Sequence, residues 1–182
     1  MFVGIYQRTN SRVAASDWMY KNIPTGAKLT CEHWDDCMPV RVPTKNSSLY
    51  PPPEYKTLEL PLYNTDNEDK WQKITQTLNE ADYIVLSSSR LYGSIMTVPN
   101  RYPKTYQFYQ DLFNEKLGFT KVAEFTSRPN IPLPFIKACV TLPFETYGEV
   151  AKIGQRCDLA GISIVDDYTD ESYTVYDHPK VI

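Results

Sequence analysis

Two short runs hold most of the side chains able to do chemistry. Glu32-His33-Trp34-Asp35-Asp36 offers three carboxylates, an imidazole and an indole in five consecutive residues. Ser87-Ser88-Ser89-Arg90-Leu91-Tyr92 offers hydroxyls, a guanidinium and a phenol, with Arg101 close behind. Carboxylates and hydroxyls hydrogen-bond the hydroxyls of a sugar, while an indole or phenol ring covers an apolar face of it. The guanidinium fork suits a phosphate or a carboxylate. The same residues also suit structural tasks: Asp35 and Asp36 capping a turn, Glu32 pairing with Arg90, and Arg90 pinning the loop 88–102 through backbone carbonyls. A hard cation such as Ca²⁺ takes oxygen ligands of this kind, but no loop of alternating acidic residues is present, and no metal or other cofactor is expected in this domain, a divalent metal elsewhere in a parent protein being left open. Asp177-His178-Pro179 has the look of an oriented general base. No Gly-x-Ser-x-Gly elbow accompanies it, and the proline marks a turn. No catalytic residue is therefore assigned, and the substrate-binding candidates are Glu32, Trp34, Asp35, Asp36, Ser88, Arg90, Tyr92 and Arg101.

The segments that must carry these residues have readable patterns. Tyr83-Ile84-Val85-Leu86 reads as a strand buried on both faces of a parallel sheet. Ligands of open α/β sheets sit beyond the carboxyl ends of such strands, where Ser87–Tyr92 follows. A strand at Ala27–Glu32, parallel to it, brings the acidic run to the same edge. Helices are expected over Ser11–Asn22, over Asp66–Glu80 with Asp66 as its cap, and from Pro103 onward with Gly118 as the C-terminal glycine. Thr57–Leu62 reads as an edge strand because Pro61 cannot pair centrally. Further strands are expected at Phe119–Phe125, Gly161–Val165 and Tyr173–Tyr176, with a short helix at Tyr147–Ile153. Residues 39–56 read as a proline-set loop and residues 127–167 as an irregular insertion. The alternation implies one α/β domain over residues 1–182, with a mostly parallel, right-handed sheet flanked by helices in a Rossmann-like three-layer arrangement.

Composition narrows the function class. The 182 residues carry a net charge of −3, against the basic face of a nucleic-acid binder. Fourteen tyrosines and fourteen prolines against seven glycines point to rigid, aromatic loops. No apolar run approaches the roughly 20 residues of a membrane span, and no signal peptide is recognisable. The chain opens on a short apolar stub and stops on Val181-Ile182 in what reads as a strand, so a domain cut from a longer protein is expected. Cys31, Cys37, Cys139 and Cys157 lack metal-ligand spacing. Bridges Cys31–Cys37 and Cys139–Cys157, another pairing, or free thiols all remain open. Asn46-Ser47-Ser48 matches a glycosylation acceptor, a three-residue pattern common by chance.

Longer phrases carry a more specific signal. Arg12-Val13-Ala14-Ala15-Ser16-Asp17-Trp18-Met19-Tyr20-Lys21-Asn22-Ile23-Pro24-Thr25-Gly26-Ala27 precedes the Glu32–Asp36 run and Pro39. Ala81–Gly93, Arg101-Tyr102-Pro103 and Leu117-Gly118-Phe119 form a second group, and Asp170–Val181 a third. Together they resemble the soluble extracytoplasmic domain that follows the membrane helices of polytopic prokaryotic glycosyltransferases. Those proteins are similar to family 39, the protein mannosyltransferase and aminoarabinose transferase group. The resemblance covers residues 8–36, 60–126 and 168–182, and neither 127–167 nor the cysteines belong to it. It implies a parent protein at the cell membrane that transfers sugar from a polyprenyl-phosphate donor on the extracytoplasmic side. Its catalytic aspartate lies between early membrane helices, so this domain is expected to be inactive alone. The partners implied are its own transmembrane domain and a lipid-linked sugar or a glycan or protein acceptor. The rival reading is a structural module that binds protein through loops 39–56 and 127–143 and has no affinity for sugar. A third, a soluble hydrolase using His33 or His178 as base, has little sequence behind it.

Overall fold

The computed structural model describes residues 3–41, 53–127, 130–132, 137–141, 161–165, 175–176 and 179–182. After the short helix α1 (Val3–Tyr6), α2 spans Ser11–Asn22. Asn10 caps α2 by accepting the Arg12 N–H at 2.9 Å, and Ile23 leaves the helix in an extended conformation ahead of Pro24. Strand β1 (Lys28–Glu32) pairs in parallel with β2 (Lys56–Leu60), from Lys28 opposite Lys56 to Glu32 opposite Leu60. Leu29 also bridges in parallel to Tyr83 on the other side of β1.

Beyond Tyr83 the pairing departs from the expected strand Tyr83–Leu86. The Val85 N–H donates to the Thr30 hydroxyl at 3.1 Å instead of to a backbone carbonyl, so the ladder lapses after one bridge. Leu86 and Ile182 then exchange backbone hydrogen bonds at 2.9 and 3.0 Å, and Val181 does the same with Phe125. Val181–Ile182 therefore lies antiparallel between the two segments. Phe125 is the only residue of the expected strand 119–125 that bridges.

Helix α3 covers Glu68–Glu80, and its cap is Asn67, not Asp66. Asp66 serves the next long helix instead. α5 (Pro103–Phe113) has proline in its first turn and no side-chain cap of its own. The Asp66 carboxylate accepts the Lys104 and Thr105 N–H groups at 2.8 and 3.1 Å, a cap supplied from a distant part of the chain. The same carboxylate accepts the buried Lys70 ammonium at 2.7 Å. At the other end of α5, Glu115 takes the left-handed conformation at φ 57°, and the Lys116 N–H reaches Asp111 O at 2.8 Å. That six-to-one bond makes Glu115, and not Gly118, the residue that ends the helix. A short helix α4 (Arg90–Ile95) occupies part of what reads in the sequence as loop 88–102.

Two apolar clusters sit on opposite faces of the β1 region. Leu60, Leu86, Ile74, Tyr92, Tyr109 and Phe113 gather α3, α4 and α5 on one face. Ala15, Met19, Leu29, Val85 and Val181 gather α2 on the other. The chain is thus a mixed α/β domain with a small parallel sheet. The stretch expected as an irregular insertion holds β3 (Asn130–Pro132), β4 (Lys137–Thr141) and β5 (Gly161–Val165). β3 pairs antiparallel and β5 parallel with β4, and Pro132 is tolerated because β3 is an edge. Val175 and Tyr176 form a helical turn, against the strand expected at 173–176. The expected helix 147–153, most of loop 39–56, Asn46, Asp177 and His178 lie outside the described residues. Among the described residues no helix is long and apolar enough to cross a membrane.

Candidate functional site

β1 and the Tyr83 segment run the same way, so the acidic run and Ser87–Arg90 do meet at one sheet edge. A disulfide between Cys31 and Cys37 closes the loop that carries residues 33–36. Cys157 lies outside the described residues.

The site is layered from core to solvent. At its floor, Glu32 is 2% exposed and accepts the Tyr109 hydroxyl at 2.5 Å. Its second oxygen, Glu32 Oε2, is buried with no hydrogen-bond partner. Burial, opposed by the Tyr109 hydrogen bond and aided by the nearby Asp35 charge, raises its pKa to about 8. Glu32 is accordingly a neutral acid at physiological pH, and its partner is Tyr109 and not Arg90. Burial beside this carboxyl also raises the Tyr109 phenol well above its usual range.

Above the floor lies a charge cluster centred on Asp35, whose side chain is 1% exposed. Arg12 of α2 reaches Asp35 Oδ1 at 3.3 Å, Asp36 Oδ2 at 3.0 Å and the Ser87 carbonyl at 3.3 Å. The Ser88 hydroxyl donates to Asp35 Oδ2 and accepts the Arg90 N–H at 3.1 Å. One guanidinium and one carboxylate thus join the start of α2, the end of β1 and the start of α4.

The rim is aromatic and exposed. Trp34 is 67% exposed and holds φ at 76°, in the left-handed region that non-glycine residues rarely adopt. Its carbonyl accepts Arg90 Nη1 at 2.8 Å, while Arg90 Nη2 donates to the Tyr176 hydroxyl. The Arg90 guanidinium also lies 5.1 Å from the centre of the Tyr176 ring. His33 pairs with Glu59 at 3.1 Å and meets the Trp34 ring edge-on. The Asp36 carboxylate is open to solvent.

Of the eight candidates, Trp34, Asp36 and Arg90 form the rim, while Asp35, Ser88 and Glu32 form the buried support beneath it. Tyr92 is a core residue, 2% exposed and edge-on to Phe113 at 5.0 Å. Arg101 is exposed and rests over Tyr102 at 5.2 Å, on the Lys70 side of the core. Sequence reasoning missed Arg12, Tyr109 and Tyr176. Arg12 did leave a signal: a cation in the first turn opposes the helix dipole and calls for a tertiary partner. Tyr109 could not be told from the apolar stripe of α5, and Tyr176 was hidden by the strand assignment.

An exposed indole beside an open carboxylate, a phenol and a guanidinium can stack on an apolar sugar face and hydrogen-bond its hydroxyls or an attached phosphate. Among the described residues, His, Cys, Asp and Glu side chains form no group of three or more suited to a metal. Compared with known protein families, with curated proteins and with solved structures, the chain finds no match.

Proposed function

We propose that this chain is a non-catalytic extracytoplasmic domain of a membrane glycosyltransferase that draws sugar from a polyprenyl-phosphate donor. In this reading the rim of Trp34, Asp36, Arg90 and Tyr176 holds a sugar of the acceptor or of the donor. The Arg90 guanidinium takes any phosphate attached to it. The implied partners are the protein's own transmembrane domain and a lipid-linked sugar, a glycan or a protein acceptor. The finer reading of the fold, a mostly parallel Rossmann-like three-layer sheet, belongs to the same proposal. The parallel β2–β1–Tyr83 order and the helices on both faces support it.

The observation that carries the site is Trp34. A large apolar side chain left in water gains nothing from burial, and its left-handed backbone costs about 1–2 kcal/mol. The disulfide and Arg90 hold it there all the same. A ring presented to solvent from a held backbone is what a stacking platform requires. The disulfide also fits an oxidising compartment outside the cytoplasm, and the sequence resemblance supplies the enzyme class.

The test is a titration of the chain with soluble oligosaccharides and with a short-chain polyprenyl-phosphate sugar, following the Trp34 indole resonance. Saturable shifts that vanish in Trp34→Ala and weaken in Arg90→Ala are expected. If no sugar or sugar-phosphate moves that resonance, the binding role falls. Transfer by the membrane protein that is unchanged in both variants removes these residues from its function.

A further inference from the structure

The rim around Trp34 uses the ends of β1 and of the Tyr83 segment, but the same sheet edge runs on past β2. β2 is parallel to β1, so its carboxyl end emerges at this edge as well. The His33 N–H donates to Leu60 O at 3.0 Å and carries the pairing to the last residue of β2. Three residues further on stands Tyr63, 47% exposed. Its ring lies 6.2 Å from that of Tyr102, a buried residue just ahead of α5. Arg101 rests its guanidinium over the same Tyr102 ring at 5.2 Å. Tyr102 thus backs an exposed phenol and an exposed guanidinium at one corner. Among the described residues, neither the Tyr63 hydroxyl nor the Arg101 guanidinium has a hydrogen-bond or ion-pair partner. The carboxylates at the start of α5, Asp66 and Glu68, are already answered by Lys70 and Lys104.

The order of these groups along the edge follows from the strands. Arg90 follows the Tyr83 segment, Trp34 follows β1 in the middle, and Tyr63 follows β2. The contacts agree: Arg90 holds the Trp34 carbonyl on one side, while His33 pairs with Glu59 of β2 on the other. Strands about 4.8 Å apart make the span from the first corner to the last roughly 10 Å, more than a single pyranose covers. We propose that this edge binds a short acidic glycan, with one sugar on Trp34 and a second, bearing a carboxylate or a phosphate, at Arg101 and Tyr63. Arg90 has Nη1 and Nη2 engaged by the Trp34 carbonyl and the Tyr176 hydroxyl, so an acidic group further along falls to Arg101, whose whole fork is open. The Tyr63 ring covers an apolar sugar face, and its hydroxyl meets a hydroxyl of the same sugar. The inference rests on the sugar-binding reading of Trp34 and adds to it the length and the charge of the ligand.

The test titrates the isotope-labelled chain with trigalacturonate, with maltotriose phosphorylated on its terminal 6-hydroxyl, with maltotriose and with glucose. The resonances followed are the Trp34 indole, the Arg101 guanidinium and the Tyr63 ring. With at least one of the acidic trisaccharides, all three are expected to move along one saturation curve, at least about tenfold tighter than with maltotriose. The carboxylate and phosphate probes tell the two sources of the anion apart, and glucose is expected to move Trp34 alone. Arg101→Ala, a change at an exposed side chain, should remove the acidic advantage, and Arg101→Lys should restore only part of it. A Trp34 response to the sugars with Arg101 and Tyr63 silent would overturn the inference and leave the Trp34 reading standing. An acidic advantage that survives Arg101→Ala would do the same. Arg101 and Tyr63 moving on a curve separate from that of Trp34 would also overturn it, by making them a site of their own. Silence of Trp34 toward every probe would bring down that reading and the inference with it.

Discussion

Trp34 and Glu32 are single residues held in states that water would not choose, and each state has a measurable consequence. At Trp34 the backbone is left-handed and the ring exposed, so the side chain contributes little packing. Glycine has no steric cost in that conformation, though it loosens the unfolded chain. Trp34→Gly is expected to leave stability unchanged or raise it by up to about 1 kcal/mol, while abolishing sugar binding. Chemical denaturation checks the first half, and a loss of more than that amount would mean the indole is part of the core. Glu32 gives a pH signature. Folded, it keeps its proton up to about pH 8; unfolded, it releases it near pH 4.3. Between these limits the folded chain binds more protons, so this contribution is full below the lower limit and is lost as pH rises through the upper. Relative to Glu32→Gln, the wild-type melting temperature should fall from about pH 5 to about pH 9, by about 2–4 °C per kcal/mol lost. Parallel curves for the two proteins would show the carboxyl ionised in the fold.

At the scale of elements, the long helices were legible because their signals are local. Asn10, Ile23-Pro24 and Pro103 act within a turn of their own position, and α2 spans the expected Ser11–Asn22. What failed were the assignments settled by distant residues. Asp66 reads as a cap for the helix that follows it, yet its carboxylate closes the start of α5 and holds Lys70. Burial works against its charge, but Lys70 and the Thr105 hydroxyl and N–H outweigh that, leaving its pKa below the usual range. Removing this carboxylate leaves a buried ammonium and an open helix end together. Asp66→Ala should therefore cost about 3–5 kcal/mol, with α3 and α5 loosening as a unit in amide exchange. A cost under about 1 kcal/mol would place Asp66 among ordinary surface pairs. The site divides along the same line. The sheet edge that gathers the acidic run with Ser88 and Arg90 was legible from strand patterns, whereas the partners were not. Glu32 with Tyr109 and Arg12 with Asp35 are separated by tens of residues, and no local pattern encodes such pairs.

For the whole molecule the question is which charges hold the fold and which are left for a ligand. Arg12 and Arg90 stand on either side of Asp35 but do different work. Arg12 is largely buried and joins α2 to the β1 loop and to Ser87, so its loss strands the Asp35 carboxylate, which is 1% exposed. Arg90 secures the exposed Trp34 carbonyl and Tyr176 at the rim, where water can replace most of what it provides. Arg12→Ala is thus expected to cost about 3–5 kcal/mol, and Arg12→Lys to recover only part of it, because an ammonium cannot reach three acceptors in a fork. Arg90→Ala should cost about 1 kcal/mol or less while freeing the Trp34 ring, seen as lowered order in its indole relaxation. Urea unfolding of the three variants, read beside that relaxation, separates the roles. Equal losses of stability would mean that both arginines are structural, and the exposed rim would then lack the one rigid cation that a sugar-phosphate needs.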